Sequence, residues 1–281
     1  MPFHNFIRLS FVMLHYLGYF AAIFIGLALG IMGGGGSILT VPVLVYLIGV
    51  SPVLSTAYSL FIVGSTSLVG AASYFRRGLV ALPTALVFLL PSLITVFLTR
   101  KVLVPAIPQA LFTVDGLLVT KDLLVLITFA VLMVAAATSM IRSKAATATD
   151  GAPLAAINYP LVLSIGAVVG LITGFVGAGG GFLIIPALVL FARLPMKLAV
   201  GTSLAIIAIN SLIGFSGDLS AGRVMDWSFL LGFLAFALGG IVLGSYLGRF
   251  IPGAKLKPAF GWFTLAMGTF ILAKELLFHH S

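Results

Sequence analysis

The chain has 281 residues, of which 61% are hydrophobic and only 7% are charged, and its formal net charge is +9. So few charged side chains cannot cover the surface of a water-soluble domain of this length, which excludes the soluble classes of protein. Repeated apolar runs, most of them near the roughly 20 residues that a bilayer-spanning helix needs, predict an all-α polytopic membrane protein. The absence of cysteine excludes disulfides and thiolate metal sites. The basic excess is typical of loops that contact anionic headgroups, so the first predicted partner is the lipid bilayer.

The predicted segments follow the apolar runs, which end at glycines or at basic residues. In the first half they are residues 16–32, the short 37–49, 56–75, 79–99 and 123–141. In the second half they are residues 161–176, the short 182–192, 199–217, 227–248 and 258–277. We predict a first membrane repeat over residues 1–142, a poorly apolar linker over 143–160 and a second repeat over 161–281. Arg100 and Lys101 are interpreted as loop residues that end the fourth segment.

The two halves resemble each other in sequence without a gap. From Gly26 to Val80, glycines, a proline and serines recur 144 residues further along the chain. The matched pairs of greatest weight are Gly30 and Gly174, Gly33 and Gly177, Gly35 and Gly179, Gly36 and Gly180, Pro42 and Pro186, Ser59 and Ser203, and Ser67 and Ser211. Matches at one fixed period predict an internal duplication.

The number of spans decides the orientation of the second copy. Ten crossings would place five in each repeat and invert the second copy, whereas re-entrant short segments would leave eight crossings and parallel copies. The short segment 37–49 would measure about 20 Å as a helix, less than the roughly 30 Å hydrocarbon core. We expect ten hydrophobic segments and inverted repeats, and the arrangement with eight spans stays open as the alternative.

Two glycine clusters are the first candidate for a binding site. Glycine at this density breaks a helix, and broken backbone at membrane depth must be buried in protein or line a cavity. Each cluster precedes a short apolar helix, whose N-terminal N–H groups and dipole favour an anion. The alternative is close helix packing, to which we assign Gly26, Gly30, Gly170 and Gly174. The candidate residues are Gly33, Gly34, Gly35, Gly36 and Ser37, and Gly177, Gly179, Gly180 and Gly181.

Polar residues in the third and eighth segments form the second candidate group. Their hydroxyls and one amide could hydrogen-bond an anion, although a serine within a span more often bonds to its own helix. Asn210 stands out, because an amide is harder to satisfy locally. The residues are Tyr58, Ser59, Ser65, Thr66 and Ser67 in the first copy, and Thr202, Ser203, Asn210 and Ser211 in the second.

The residues needed for catalysis are missing. No lysine follows a glycine cluster, the dinucleotide pattern is interrupted at Phe182, and the histidines lie near the termini, so we predict no enzyme, no cofactor and no metal site. No carboxylate lies in the middle of a span. Asp218 is the best candidate for a proton carrier, and its alternative role is an interfacial pair with Arg223. The coupling ion, proton or sodium, stays open.

The segments Gly30-Ile-Met-Gly-Gly-Gly-Gly-Ser-Ile-Leu-Thr-Val-Pro42 and Gly174-Phe-Val-Gly-Ala-Gly-Gly-Gly-Phe-Leu-Ile-Ile-Pro186 resemble the paired motif of the TauE/SafE sulfite exporter family. The resemblance covers essentially the whole chain. It implies a bacterial inner-membrane permease for sulfite, sulfonates or related organosulfur oxyanions. It also implies a site made of the two glycine turns with Ser59, Thr202 and Ser203. The chain departs from the pattern at Tyr58, where a phenol stands in place of the second copy's threonine.

These patterns together predict a secondary transporter that works by alternating access. A small anion would bind near the midplane between the repeats, held by the two helix N-termini and by hydroxyls of the spans. Two other classes remain: a structural or assembly subunit whose glycines serve packing, and an anion channel.

Overall fold

A computed structural model describes residues 2–114, 117–142 and 159–278, and nearly all of them are helical. The helices are α1 (Pro2–Met32), α2 (Gly35–Pro42), α3 (Pro52–Arg76), α4 (Leu82–Leu98), α5 (Val104–Ala106), α6 (Lys121–Arg142), α7 (Tyr159–Val176), α8 (Gly181–Leu190), α9 (Met196–Ser220), α10 (Trp227–Gly248) and α11 (Gly253–Phe278). A π-helical stretch, Val43–Leu47, continues α2, and another, Thr99–Leu103, joins α4 to α5. Strands β1 (Ala110–Val114) and β2 (Leu117–Thr120) form an antiparallel hairpin before α6.

The helices confirm the prediction of a polytopic membrane protein. Within the described ranges, six are long and apolar enough to cross a bilayer: Pro52–Arg76, Leu82–Ala106, Lys121–Arg142, Met196–Ser220, Trp227–Gly248 and Gly253–Leu276. Four apolar helices are shorter: Leu17–Met32, Gly36–Leu47, Pro160–Val176 and Gly181–Leu190. Large apolar side chains such as Phe20, Leu90 and Trp262 are exposed, as a lipid-facing surface requires.

The structure differs from the sequence prediction in the region that follows the fourth segment. The segment was expected to end at residue 99, but its helix runs from Leu82 to Ala106 and includes Arg100 and Lys101. The stretch between the predicted segments 79–99 and 123–141 was expected to be a loop, and it contains the hairpin of β1 and β2. Most of the predicted linker, residues 143–158, lies outside the described residues.

Helices α3 and α9 form the central pair of the bundle. In each of these two helices, 72% of the most apolar 18-residue stretch is buried, against 33–44% in the other four long helices. A Cβ at Gly70 would lie 3.3 Å from Leu204, and one at Gly214 would lie 3.3 Å from Leu60. Leu60 and Leu204 lie in the N-terminal halves of their helices, whereas Gly70 and Gly214 lie near the C-terminal ends. Helices α3 and α9 therefore run antiparallel.

The outer helices pack in pairs around this centre: α1 with α10, α4 with α7, and α6 with α11. Glycines bring the first two pairs into backbone contact. A Cβ at Gly30 would overlap Ser245 and its neighbours on α10, and a Cβ at Gly170 would overlap Ser92 on α4. The packing role assigned to these glycines from the sequence is therefore confirmed.

Candidate functional site

The two glycine clusters meet in the interior of the bundle. A Cβ placed on Gly34 would overlap the backbone of Gly181, so the turns before α2 and α8 touch through main-chain atoms. Ser37 lies at the same junction, because its Oγ is 3.0 Å from the Cβ position of Gly181. Glycine is required on both sides, since any side chain would force the turns apart.

The two turns approach this junction from opposite ends of the α3/α9 pair. Gly33 lies beside Ser203, whose Oγ is 2.9 Å from the glycine's Cβ position, near the start of α9. Gly177 lies beside Thr56 near the start of α3, with Oγ1 2.9 Å away by the same measure. Gly179 then reaches Ser211, close to the middle of α9. The junction therefore lies at mid-depth of the bundle.

The second turn offers backbone donors at the start of α8. Gly180 caps the helix with φ +76°, a left-handed conformation that a residue with a Cβ adopts only at a cost. Its carbonyl accepts hydrogen bonds from Leu183 and Ile184. The N–H groups of residues 179–182 have no acceptor among the described residues. Unpaired donors at a helix N-terminus attract an oxyanion.

Three buried serine hydroxyls on α3 and α9 have no hydrogen-bond partner among the described residues: Ser59, Ser67 and Ser211. The Oγ of Ser211 lies 3.1 Å from the Cβ position of Gly179, so this hydroxyl is next to the second turn. A buried polar group without a partner costs free energy, so in a native protein it requires an explanation such as a bound water, ion or ligand. Thr84 and Ser245 are unpaired in the same way.

Most of the other predicted polar residues have partners within the protein, and Ser65 has none among the described residues. Ser37 donates to the Gly34 carbonyl at 2.7 Å and Ser203 to that of Val200 at 2.8 Å. Asn210, 3% exposed, exchanges hydrogen bonds with Ser92 on α4 at 2.9 and 3.1 Å. In the first cluster, Gly35 begins α2. Gly36 packs against the backbone of α1.

Tyr58 and Thr202, which occupy matched positions, each hold the start of a long helix in the other half of the chain. The phenol of Tyr58 accepts from the N–H of Asp226 at 2.9 Å, just before α10. The hydroxyl of Thr202 accepts from the N–H of Ala81 at 2.9 Å, just before α4. These contacts lie away from the glycine junction, so the structure does not bring the two side chains together with the turns.

Tyr58→Phe is therefore expected to lower the free energy of unfolding by about 1 kcal/mol, because the Asp226 N–H loses its acceptor. Anion binding should not change. Thermal melting in detergent, with and without methanesulfonate as the test anion, measures both effects. Tyr246→Phe on the exposed face of α10 is the control. A normal melt combined with a lost anion response would instead place the phenol in the binding site.

A buried ion pair is the site feature that the sequence analysis missed. Arg100 and Asp218 are both 0% exposed, and Arg100 Nε donates to Asp218 Oδ2 at 2.8 Å. Arg100 Nη1 also donates to the Gly174 carbonyl at 3.3 Å, just before the second turn. The predicted pairing of Asp218 with Arg223 is present too, at 3.0 Å. Arg100 was misassigned because an arginine after an apolar run usually lies at the interface.

Carboxylates and histidines do not form a cluster of three or more that could hold a metal ion in the described part of the chain. The bundle offers a buried junction with backbone N–H groups, the unpaired hydroxyl of Ser211 and the buried guanidinium of Arg100 nearby. Broken helices that meet inside a polytopic bundle are typical of membrane transporters.

The chain belongs to the sulfite exporter TauE/SafE family, whose model matches residues 18–271. It is 28% identical over 252 residues to a probable membrane transporter protein of Xylella fastidiosa strain 9a5c, covering 88% of this chain and 91% of that protein. It is also 28% identical over 258 residues to the probable membrane transporter protein YunE of Bacillus subtilis strain 168, covering 86% and 89%. No solved structure matches the chain. The protein is thus a multi-pass membrane transporter of this family.

Proposed function

We propose that the protein is a secondary transporter for a small oxyanion, of the sulfite or sulfonate class, and that the anion binds where the two glycine turns meet. The observation that carries the proposal is the unpaired Ser211 hydroxyl beside Gly179, at a junction that also presents unpaired backbone N–H groups. Such donors suit a sulfonyl or sulfite oxygen, which accepts hydrogen bonds and carries negative charge. The family name supports the substrate class.

Alternating access between two inverted repeats is the mechanism that the geometry favours. Positions 144 residues apart make matched contacts. Leu60 lies 3.3 Å from the Cβ position of Gly214, and Leu204 lies 3.3 Å from the Cβ position of Gly70. The antiparallel course of α3 and α9 agrees with an inverted second copy. In this structure the turns touch and the junction is closed. We infer that rocking of the halves separates the turns on one side at a time.

A non-transporting structural subunit would use the glycines for packing alone. That reading accounts for the glycines between α1 and α10, but it gives no role to three buried serine hydroxyls without partners. An anion channel would need a continuous polar path, whereas Gly34 and Gly181 are buried and in contact. Both alternatives are therefore less well supported than the transporter.

Ser211→Ala separates binding from folding. Removing an unpaired buried hydroxyl should leave the protein as stable as before, or slightly more stable. Anion affinity should fall roughly ten- to hundredfold, since a hydrogen bond to a charged group contributes about 1.5–3 kcal/mol. Melting temperatures with sulfite, sulfate, sulfoacetate, methanesulfonate and chloride measure this effect, because a ligand of the folded state raises the melting temperature.

Ser216→Ala is the matched control, since that hydroxyl is exposed on the same helix and bonds to Ile213. A selective shift in the wild type and in Ser216→Ala, reduced in Ser211→Ala, would support the anion site. A well-folded wild type that no anion stabilises would remove the support for the oxyanion site. An unchanged anion response in Ser211→Ala would exclude this hydroxyl from it.

A further inference from the structure

Asp218 lies between a buried arginine and a partly exposed one. Its Oδ2 accepts from Arg100 at 2.8 Å, and Arg100 is 0% exposed. Its Oδ1 lies 3.0 Å from Nε of Arg223, whose side chain is 18% exposed. The Arg223 contact is an ion pair without hydrogen-bond alignment, so Oδ1 makes no hydrogen bond to the described residues. One oxygen of the buried carboxylate therefore faces Arg100, and the other faces the partly exposed Arg223.

Arg100 links this carboxylate to the second glycine turn. Its Nη1 donates to the Gly174 carbonyl at 3.3 Å and to Thr56 Oγ1 at 3.2 Å. The same nitrogen lies 3.0 Å from the Cβ position of Gly177, so no side chain would fit between the guanidinium and the turn. Because Arg100 contacts both the Asp218 carboxylate and the turn, the charge of Asp218 changes the electrostatic environment of the turn.

The group carries a surplus of positive charge, because one carboxylate faces two guanidinium groups. The other charged residues at this end of the bundle make contacts with groups other than Asp218. Lys121 donates to the Ile107 carbonyl, Asp122 accepts from the N–H of Val53, Asp226 accepts from the N–H of Phe229, and Lys101 lies over the ring of Phe97. The buried pair of Arg100 and Asp218 is balanced, and the surplus is the charge of Arg223, which is 18% exposed. Protonation of Asp218 would leave Arg100 buried without a counter-charge, which is costly, and an anionic ligand would relieve that cost.

The matched place beside the first glycine turn holds no ion pair among the described residues. Its cation, Arg77, is exposed, lies over the ring of Tyr74 and donates to the Ser245 carbonyl at 3.5 Å. Tyr74 occupies the position 144 residues before Asp218, and its hydroxyl donates to the Gly30 carbonyl at 3.0 Å. Where Arg100 approaches Gly174, the first turn instead has Ser245 beside Gly30. The buried carboxylate–guanidinium pair thus lies at one end of the bundle and has no counterpart at the other among the described residues, so a proton on the carboxylate would act at one end alone.

We propose that Asp218 carries the coupling proton, and that an anionic substrate replaces its carboxylate as the counter-charge of Arg100. This inference rests on the transport function proposed above. A proton from the Arg223 side adds to Asp218 Oδ1 and gives the neutral acid, which weakens the ion pair. The guanidinium then binds one negative charge of the substrate. One proton and one anion are taken up together, and release of both restores the Arg100–Asp218 pair.

The test is proton uptake on binding, measured in weakly buffered detergent with a pH-indicator dye and methanesulfonate, which does not titrate near neutral pH. The wild type is expected to take up about one proton per anion bound. Asp218→Asn should bind methanesulfonate at least as tightly, without proton uptake. In liposomes this variant should lose accumulation driven by a pH gradient but keep exchange of labelled anion. Asp226→Asn, which removes an exposed carboxylate at the start of α10, should behave as the wild type.

Anion binding by the wild type without proton uptake would overturn the inference while leaving the transporter intact. Proton-driven accumulation by Asp218→Asn would do the same. The wild-type measurement decides the question even if the variant does not fold. A wild type that neither binds nor exchanges any anion would instead overturn the transport function itself.

Discussion

Asp218→Leu is expected to lower the free energy of unfolding by about 3–5 kcal/mol, because Arg100 would stay buried with its charge unbalanced. Arg223 makes the loss larger, since it adds a second positive charge at the same place. We expect a strongly reduced melting temperature in detergent and a smaller monodisperse fraction on size-exclusion chromatography.

The double variant Arg100→Met/Asp218→Leu should recover much of this loss. Apolar replacement of a whole buried ion pair is often neutral or stabilising, whereas removal of one partner is not. Arg223→Leu should have a smaller effect, because that side chain is 18% exposed. If Asp218→Leu melted like the wild type, the buried pair would have no role in stability, and the charge balance described above would be incorrect.

Gly240→Ala is expected to cost about 1–3 kcal/mol of stability, because the new methyl group would meet the backbone of Ile23 and Leu27 on α1. Backbone atoms cannot move aside as the end of a side chain can, so α1 and α10 would have to separate. Thermal melting in detergent measures the loss.

The adjacent residue provides a matched control on the same helix. A Cβ at Gly239 would meet nothing within 4 Å, so Gly239→Ala should be neutral or stabilise by up to about 1 kcal/mol through helix propensity. Equal destabilisation by the two variants would contradict the packing between α1 and α10. A normal melt for Gly240→Ala would contradict it as well.

Much of the fold could be predicted because a bilayer restricts what a chain can do. Apolar runs and their breaks located all ten hydrophobic segments, including the short helices after the glycine clusters. The ends were less predictable. Leu82–Ala106 continues past Arg100 because the charge is neutralised by Asp218, which lies 118 residues further along the chain. Local hydropathy holds no information about such a distant partner.

The glycine turns were visible in the sequence because four glycines in a row exceed the needs of helix packing. Their contact through Gly34 and Gly181 needed the structure. Residue type did not identify which hydroxyls have partners. Thr202 and Tyr58 hold the starts of α4 and α10, whereas the hydroxyl of Ser211 is left unpaired. That difference depends on the rotation of α3 and α9 about their axes. The positions of a few polar residues in otherwise apolar helices do not determine this rotation.

The backbone contact between the two turns also bears on the membrane's own energetics. A cell that stores energy as an ion gradient cannot tolerate a protein that short-circuits it. The contact of Gly34 with Gly181, among turn residues that are buried, would interrupt a file of water at this point of the bundle. We therefore expect liposomes that contain the protein in this conformation to hold a proton gradient as long as liposomes without it.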